Sequence, residues 1–364
     1  MAALKELDMD VEFAGLDFRS LCLERRFVRT MKTLMNQPGK SIWEASEDRA
    51  EAKAIYRMLA NRKFSREEIL GRHREAVMRR MVEHGGTILA VQDTVGLNYS
   101  THWKTKGIGY IGGDTLGVSI RTCLAVTGDG MILGLLDQSS CSGQHPDEPA
   151  DETNETEISR WFKTLERSKA GIPDGIKVIA LCDGEGDVYE RFAKAASQGN
   201  ALLMRVTEDG MTGESGRILE ELRNKPSQGQ IMIVIPGDSR GSPERKALFQ
   251  LWYAPFAINN PHTPDPAQTL PNSVTVNAIY VKETQPPAGK EPVEWFLLTS
   301  EEVSSPQEAR KYTAYYTRRQ LTERFHHVLK NGCAIERLQE RSVEKTAILV
   351  LMYSIISVML LNRP

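Results

Sequence analysis

"KVIALCDGEGDVYERFAKAASQG", residues 177–199, indicates the fold class of this chain. Its first part is a short apolar run typical of a buried strand, and the part after Asp187 has the length and apolar spacing of a helix. An earlier run, residues 87–94, has the same form and precedes a predicted hairpin whose turn is residues 127–130. Because a helix is also predicted over residues 151–171, the order strand, hairpin, helix, strand, helix predicts a mixed α/β domain.

Other parts of the chain depart from this α/β pattern. Apolar residues recur at helical spacing through residues 1–82, and Ser41 with Glu44 has the spacing of a capping box, as does Ser65 with Glu68. Short apolar pieces between polar and proline-rich loops favour an inserted antiparallel β subdomain after residue 199. We therefore predict a helical domain (1–82), the first part of an α/β domain (83–199), a β-rich insertion (200–304) and the helical second part of the α/β domain (305–364).

The bulk composition is that of a soluble globular protein, with 40% hydrophobic and 26% charged residues among 364. The net charge of −2 gives no overall signal for nucleic acid, but residues 18–80 contain 16 Lys and Arg against 8 Asp and Glu. This local excess of positive charge is compatible with a phosphate-binding face and equally with a solvated helical surface.

The cysteines and the termini exclude several classes of protein. Five scattered cysteines without CxxC spacing argue against a disulfide framework and against a structural zinc site. The first ten residues lack the apolar core of a signal peptide. The apolar run Ala347–Leu361 has 15 residues, which is short for a membrane span. We therefore expect a cytoplasmic protein without a membrane partner, in which this run forms a buried helix.

Acidic residues follow two of the predicted strands. Asp93 comes after "ILAVQ" and Asp183 after "VIALC", at the rim of an α/β sheet where sites tend to form. A third carboxylate, Glu323, would complete a set of oxygen ligands without His or Cys, which suits Mg²⁺ or Mn²⁺ rather than zinc. Aspartates at strand ends are also common in turns, so the pattern alone leaves both interpretations open.

Polar residues recur at a regular spacing within "YYTRRQLTERFHHVLKNG", residues 315–332. Tyr316, Arg319, Glu323 and Lys330 stand at relative positions 0, 3, 7 and 14, which fall within one stripe of a single helix. A carboxylate framed by cations in this way is either a salt-bridged solvated face or part of a functional site.

Four stretches resemble those of one protein family and occur in its order: "ILAVQDTVGLNYS", "VIALCDGEGDVYERF", "EWFLLTS" and "YYTRRQLTERFHHVLKNGCAIERLQ". The family is that of the bacterial DDE transposases of the insertion-sequence-four type. The stripe of residues 316–330 matches the family's Y-x2-R-x3-E-x6-K signature at every position. "AEAKAIYRMLANRKFS", which contains Arg57, resembles the family's N-terminal DNA-binding region.

The resemblance implies a fold and a chemistry. The fold is an RNase H-like catalytic domain interrupted by a β insertion, preceded by the helical DNA-binding domain. The activity is cut-and-paste transposition, in which transposon ends are cleaved and joined to target DNA. Asp93, Asp183 and Glu323 would hold two Mg²⁺ ions, for which Mn²⁺ could substitute, and these would support in-line phosphoryl transfer.

The same resemblance implies roles for further residues. Arg319 and Lys330 would hold phosphates near the cleavage point, and Tyr316 would add a hydrogen bond. Trp295 would stack on a base flipped out of the duplex, or would instead be a core tryptophan. Arg205 would be a basic residue near the active site, or would instead be a surface arginine at a strand end.

Departures from the family pattern keep alternatives open. Gly184 stands where the family usually has Arg, and Thr322 where it has an apolar residue. The given sequence ends at Pro364, before most of the family's C-terminal dimerisation region. The surfaces through which the expected homodimer forms on double-stranded DNA are therefore left undecided by the resemblance. The alternative function is a weakened relative that binds transposon-end DNA as an inhibitor, and a more distant one is an RNase H-like nuclease without strand transfer.

Overall fold

The computed structural model describes residues 8–141, 156–184, 187–207, 214–235, 243–261, 270–338 and 340–363. Contacts within the chain divide it into two compact units. The first unit comprises Met1–Lys177 and Gln320–Pro364, and the second comprises Val178–Arg319. The second unit includes the whole predicted insertion, residues 200–304, while the division into four segments stays a prediction.

The N-terminal part of the first unit is helical, as predicted. Ser41 and Glu44 form the expected capping box, and Ser65 accepts a hydrogen bond from the Glu68 amide. The helix expected from Ser41 onward is split in two, because Ser46 adopts an extended conformation and Asp48 caps a new helix. The helices are α1 (Met9–Glu12), α2 (Leu21–Asn36), α3 (Ile42–Ala45), α4 (Arg49–Leu59) and α5 (Arg66–His84).

Four strands follow in the first unit among the described residues: β1 (Thr87–Asn98), β2 (Gly109–Tyr110), β3 (Leu116–Thr127) and β4 (Ile132–Cys141). Each pair is antiparallel, in the order β1, β3, β4, and β2 extends the pairing of β3. The predicted hairpin is confirmed, since residues 127–130 close the turn between β3 and β4.

The predicted strand end at Asp93 is wrong. Asp93 lies opposite Thr122 in the middle of β1, which stays paired with β3 as far as Asn98. Leu97, four residues later, is fully buried, so the strand continues to bury apolar side chains beyond the acidic residue. Asp93 therefore marks a change of side-chain environment within β1 and does not mark the end of the strand.

Three more helices in the described part of the chain complete the core of the first unit. After α6 (Glu157–Lys169), the helices α10 (Gln320–His327) and α11 (Val343–Leu361) belong to this unit. By length and composition, α11 is long and apolar enough to cross a membrane. However, 72% of its most apolar stretch is buried inside the protein. Because it packs against α2, α5 and β4, the prediction of a buried helix is confirmed.

Buried charges attach α1 to the rest of the first unit. The Glu12 carboxylate accepts two hydrogen bonds from Arg80, at 2.7 and 3.1 Å, and lies 2.5 Å from His73 Nδ1. On its other side, His73 Nε2 accepts a hydrogen bond from the Leu135 amide at 2.9 Å. Glu12 is only 2% exposed, so this carboxylate depends on its partners for stabilisation.

The second unit is a sheet covered by helices. Its strands are β5 (Lys177–Gly184), β6 (Ala201–Val206), β7 (Gly229–Ile235), β8 (Arg245–Asn259), β9 (Ser273–Glu283) and β10 (Glu294–Thr299), and its helices are α7 (Val188–Ser197), α8 (Glu214–Arg223) and α9 (Pro306–Thr317). β5 pairs in parallel with β6, and the pairing then continues antiparallel through β10, β9, β8 and β7.

The described part of residues 200–304 contains short strands, as predicted, but the prediction of an antiparallel region is wrong for its first strand and missed one helix. Its first strand, β6, pairs in parallel with β5, because α7 makes the crossover that a parallel connection needs. α8 was not predicted. The mixed α/β class itself is confirmed.

Candidate functional site

A cluster in the second unit surrounds Asp183, the penultimate residue of β5. The Tyr316 hydroxyl donates a hydrogen bond to Asp183 Oδ1 at 2.5 Å, and Arg319 Nη2 lies 2.7 Å from Asp183 Oδ2. Each carboxylate oxygen therefore has its own donor. The side chains of Asp183 and Arg319 are 28% and 20% exposed, so the cluster is reachable from solvent.

Tyr316 sits deeper in this cluster than the other two residues. Burial raises the pKa of its hydroxyl, the adjacent Asp183 carboxylate raises it further, and Arg319 and Arg205 oppose the rise. The phenol therefore stays protonated and remains a donor to Asp183 at neutral pH. Arg205 lies opposite Asp183 in the β5–β6 pairing, which brings a fourth predicted site residue to the same place.

Trp295 lies on the inner side of the same cluster. Its ring centroid is 5.7 Å from that of Tyr316 and 6.0 Å from that of Phe249, and the residue is 8% exposed. Trp295 therefore packs as a core residue in this structure, and its stacking on a DNA base stays a prediction.

The backbone of β6 passes close to Gly184. A Cβ atom added at Gly184 would lie 2.8 Å from the Arg205 carbonyl oxygen, closer than real Cβ contacts. The close approach of β6 thus excludes any larger residue unless the backbone moves. Glu185 and Gly186, the next residues of this motif, lie outside the described residues.

Asp93 has neighbours of its own in the first unit. The Thr322 hydroxyl donates to Asp93 Oδ2 at 3.3 Å, and His326 Nδ1 lies 3.7 Å from the same oxygen. Thr322 and His326 are four residues apart on α10, and both flank the exposed Glu323. Sequence reasoning missed these two contacts, although their helical spacing around Glu323 could have suggested them.

The prediction that the four signature residues share one uninterrupted α-helix is wrong. Tyr316 is in the last turn of α9, Arg319 lies between α9 and α10, and Lys330 is in a π-helical turn, Val328–Gly332. At the break, the amides of Arg318 and Arg319 bond to carbonyls three residues earlier, at 3.0 Å each, which tightens the backbone.

Lys330 is linked to β1 through one carboxylate. Its Nζ is 3.6 Å from Glu336 Oε1, and that oxygen also accepts a hydrogen bond from the Asn98 amide at 2.7 Å. Lys330 therefore lies near the end of the strand that carries Asp93.

The three predicted metal ligands come from both units. Asp93 and Glu323 belong to the first, and Asp183 belongs to the second. Within the ranges that the structure describes, no group of three or more His, Cys, Asp and Glu side chains is arranged to hold a metal ion. The metal centre stays a proposal that rests on the chemistry of the donor set.

A basic face lies between α2 and α4 in the first unit. Arg25, Arg26 and Arg29 line a pocket of about 560 Å³ between these helices, and Arg57 is exposed on α4. Arg29 is engaged by Glu47 and Glu51, at 3.1 and 3.2 Å. Arg25, Arg26 and Arg57 form no ion pair with any residue that the structure describes. These three arginines therefore place positive charge at the surface of this region.

Residues 9–64 match the protein-family model described as Transposase DNA-binding. This match covers α1 to α4 and includes the basic face with Arg57. It supports a transposase with DNA as its partner, and it agrees with the N-terminal DNA-binding region expected from the sequence.

Solved structures similar to this chain include the piggyBac transposase synaptic complex with hairpin DNA, with 11% sequence identity and a TM-score of 0.42. The aligned region covers 94% of this chain and 64% of the piggyBac chain.

Proposed function

We propose that this protein is a cut-and-paste DNA transposase of the DDE type, related to the insertion-sequence-four family. The observation that carries the proposal is the convergence of Tyr316 and Arg319 on Asp183. Two residues of the family signature, more than 130 positions away in the chain, supply a donor to each oxygen of one proposed metal ligand. A solvated helix face would have no reason to contact this carboxylate.

The fold is compatible with the RNase H-like domain that the resemblance implies. β1, β3 and β4 form an antiparallel set, and α6, β5, α7 and β6 follow along the chain. The strands β7 to β10, which come later in the chain, support the β insertion that the resemblance implies.

The proposed cofactor is a pair of Mg²⁺ ions, for which Mn²⁺ would substitute. Asp93, Asp183 and Glu323 offer only carboxylate oxygens, which fit these hard cations. Bound ions of this kind activate an attacking oxygen and stabilise a leaving oxygen in phosphoryl transfer. On the protein side, Tyr316 and Arg319 orient Asp183, and Thr322 orients Asp93.

Arg319 and Lys330 have a second proposed role toward DNA. Arg319 lies 2.7 Å from the carboxylate of Asp183, and Lys330 lies 3.6 Å from that of Glu336. A phosphate entering the site would compete for these cations, with Arg319 as a bidentate donor and Lys330 as a point charge. Arg205, opposite Asp183, would add a further positive charge.

Cleavage of transposon-end DNA in Mg²⁺ tests the function. The substrate is a duplex that carries the inverted repeat flanking the gene. We expect wild-type nicking that EDTA abolishes, and loss of nicking with retained gel-shift binding in Asp183→Asn and Glu323→Gln. Cleavage that survives EDTA, or a fully active Asp183→Asn variant, would refute the DDE assignment.

A second candidate is a catalytically weakened relative that binds transposon ends as an inhibitor. The match of the Transposase DNA-binding model to residues 9–64 favours it, because that region accounts for binding without cleavage. Wild-type protein that binds the end duplex but leaves it intact in both Mg²⁺ and Mn²⁺ would support this candidate over the first.

A further inference from the structure

A loop of the first unit, residues 99–108, exposes an aromatic side chain to solvent. We refer to this segment between β1 and β2 as the Trp103 loop. Trp103 is 66% exposed, whereas Trp295 is 8% exposed. Lys104 Nζ lies 5.0 Å from the centroid of the Trp103 ring, within the range of a cation–π contact.

The Trp103 loop is hydrogen-bonded to the segment that precedes α11 and to the first residue of α11. Four hydrogen bonds join them: Tyr99 Oη to Ile335 O (3.1 Å), Thr105 Oγ1 to Glu340 O (2.9 Å), Lys106 N to Arg341 O (3.0 Å) and Val343 N to Lys106 O (2.9 Å). Because both flanks of Trp103 are fixed, the backbone that carries the ring has little conformational freedom left to lose on binding.

The loop begins beside Lys330, which we propose to bind DNA phosphates. Its first residue follows Asn98, whose amide shares the Glu336 carboxylate oxygen with Lys330 at 2.7 and 3.6 Å. The base of the Trp103 loop therefore lies next to Lys330, within the same unit.

The charge of the loop is suited to a nucleic acid strand. Residues 100–111 contain Lys104, Lys106 and His102 and no Asp or Glu. Both lysine side chains are exposed on either side of Thr105. An exposed aromatic ring interleaved with cations is the pattern by which proteins hold unpaired bases, since the ring stacks on a base and the cations follow the phosphates.

We propose that Trp103 stacks on an unpaired base of a DNA strand, while Lys104 and Lys106 hold the adjoining phosphates. The ligand class rests on the proposed function. Trp103 would thus contact the opened end of the DNA close to the phosphates held by Lys330. The site differs from Trp295, whose ring is enclosed by Tyr316 and Phe249.

Binding of an oligothymidylate strand tests the proposal, because stacking tolerates any base and needs no knowledge of the terminal repeat. We expect Trp103→Ala to weaken binding by about tenfold, as expected for the loss of one stacked base, and Trp103→Phe to retain most of the affinity. Lys104→Ala with Lys106→Ala should lower the dependence of affinity on salt. Met232→Ala, which removes a side chain 58% exposed in the second unit, is the matched control.

The outcomes separate this inference from the proposed function. Wild-type affinity for the strand in Trp103→Ala, in a protein that cleaves end DNA, refutes the inference alone. Self-association in the absence of DNA that Trp103→Ala abolishes would assign the ring to a protein interface and also refutes it. Strand binding that depends on Trp103 in a protein without end cleavage supports the inference and refutes the transposase activity. Thermal melting of each variant verifies that the fold is retained.

Discussion

At the scale of single residues, the contacts of Asp183 explain why Tyr316 and Arg319 occupy their positions. The carboxylate is only partly exposed and receives one donor on each oxygen, so its orientation is set before any ligand arrives. Preorganised groups of this kind lower the cost of reaching the reactive geometry. Their removal should therefore affect cleavage more than stability.

Substitution of Arg319 should separate catalysis from stability. We expect Arg319→Ala to lower single-turnover cleavage at least tenfold while the free energy of unfolding changes by about 0–1 kcal/mol, as for partly exposed ion pairs. Arg319→Lys should also be impaired, because an ammonium cannot supply the bidentate fork, and Tyr316→Phe should be milder. Normal cleavage rates in both Arg319→Ala and Lys330→Ala would mean that these two residues only solvate the protein surface.

Thr322 gives a matched pair of variants on the other proposed ligand. Thr322→Val keeps the shape of this buried side chain but removes the hydroxyl that donates to Asp93 at 3.3 Å. We expect it to lower cleavage severalfold, whereas Thr322→Ser should remain close to wild type. Equal cleavage by the two variants, in proteins of equal melting temperature, would contradict a positioning role for the hydroxyl.

At the scale of elements, the Glu12 carboxylate attaches α1 to α5 and makes stability depend on pH. Burial alone would raise the pKa of Glu12, but the charges and hydrogen bonds of His73 and Arg80 together lower it to about 2. A lowered pKa stabilises the fold above the unfolded value of 4.5, and this contribution is lost as pH falls from 4.5 toward about 2.

Removal of that charge should destabilise the first unit. We expect Glu12→Gln to lower the free energy of unfolding by about 3–5 kcal/mol at neutral pH, because Arg80 is left without its buried partner. The difference from wild type should shrink in urea melts as pH falls through the window from 4.5 to about 2. Glu83→Gln, an exposed residue of α5, is the control, and equal stability of both variants would exclude the buried network.

The basic face of α2 and α4 predicts how DNA affinity depends on salt. Deletion of the whole region is a poor test, because α2 and α5 pack on α11 and its removal would expose the core. Arg25→Ala with Arg26→Ala should instead weaken end binding and reduce the slope of log affinity against log salt by about 0.9 for each phosphate that the variant no longer neutralises. Unchanged slopes by fluorescence anisotropy would place DNA recognition elsewhere.

At the scale of the whole molecule, the proposed function requires Asp93 and Asp183 to take part in one reaction. If Asp93 and Asp183 act together in catalysis, each single Asn substitution should cost about as much cleavage activity as the two together. Single-turnover rates in Mn²⁺ should therefore be equal, within error, for Asp93→Asn, Asp183→Asn and the double variant. Additive losses of activity would mean that the two carboxylates serve separate functions. The proposed homodimer on DNA is measured in the same samples by sedimentation.

The sequence by itself determined the local structure of this protein. The apolar runs of β5 and β6, the caps at Ser41 and Ser65, and the turn at residues 127–130 depend on neighbours a few positions apart, so their patterns are visible in the chain. The Y-x2-R-x3-E-x6-K spacing likewise identified Tyr316, Arg319, Glu323 and Lys330 as candidate site residues from the sequence alone.

Only the tertiary structure decided the partners of those residues. The parallel pairing of β6 with β5, the continuation of β1 past Asp93 and the burial of Trp295 all depend on segments far apart in the chain. The same holds for the contact of Tyr316 with Asp183, 133 residues away. Local propensity carries no information about such pairs, because their free energy comes from burial and hydrogen bonds that exist only after the chain has folded.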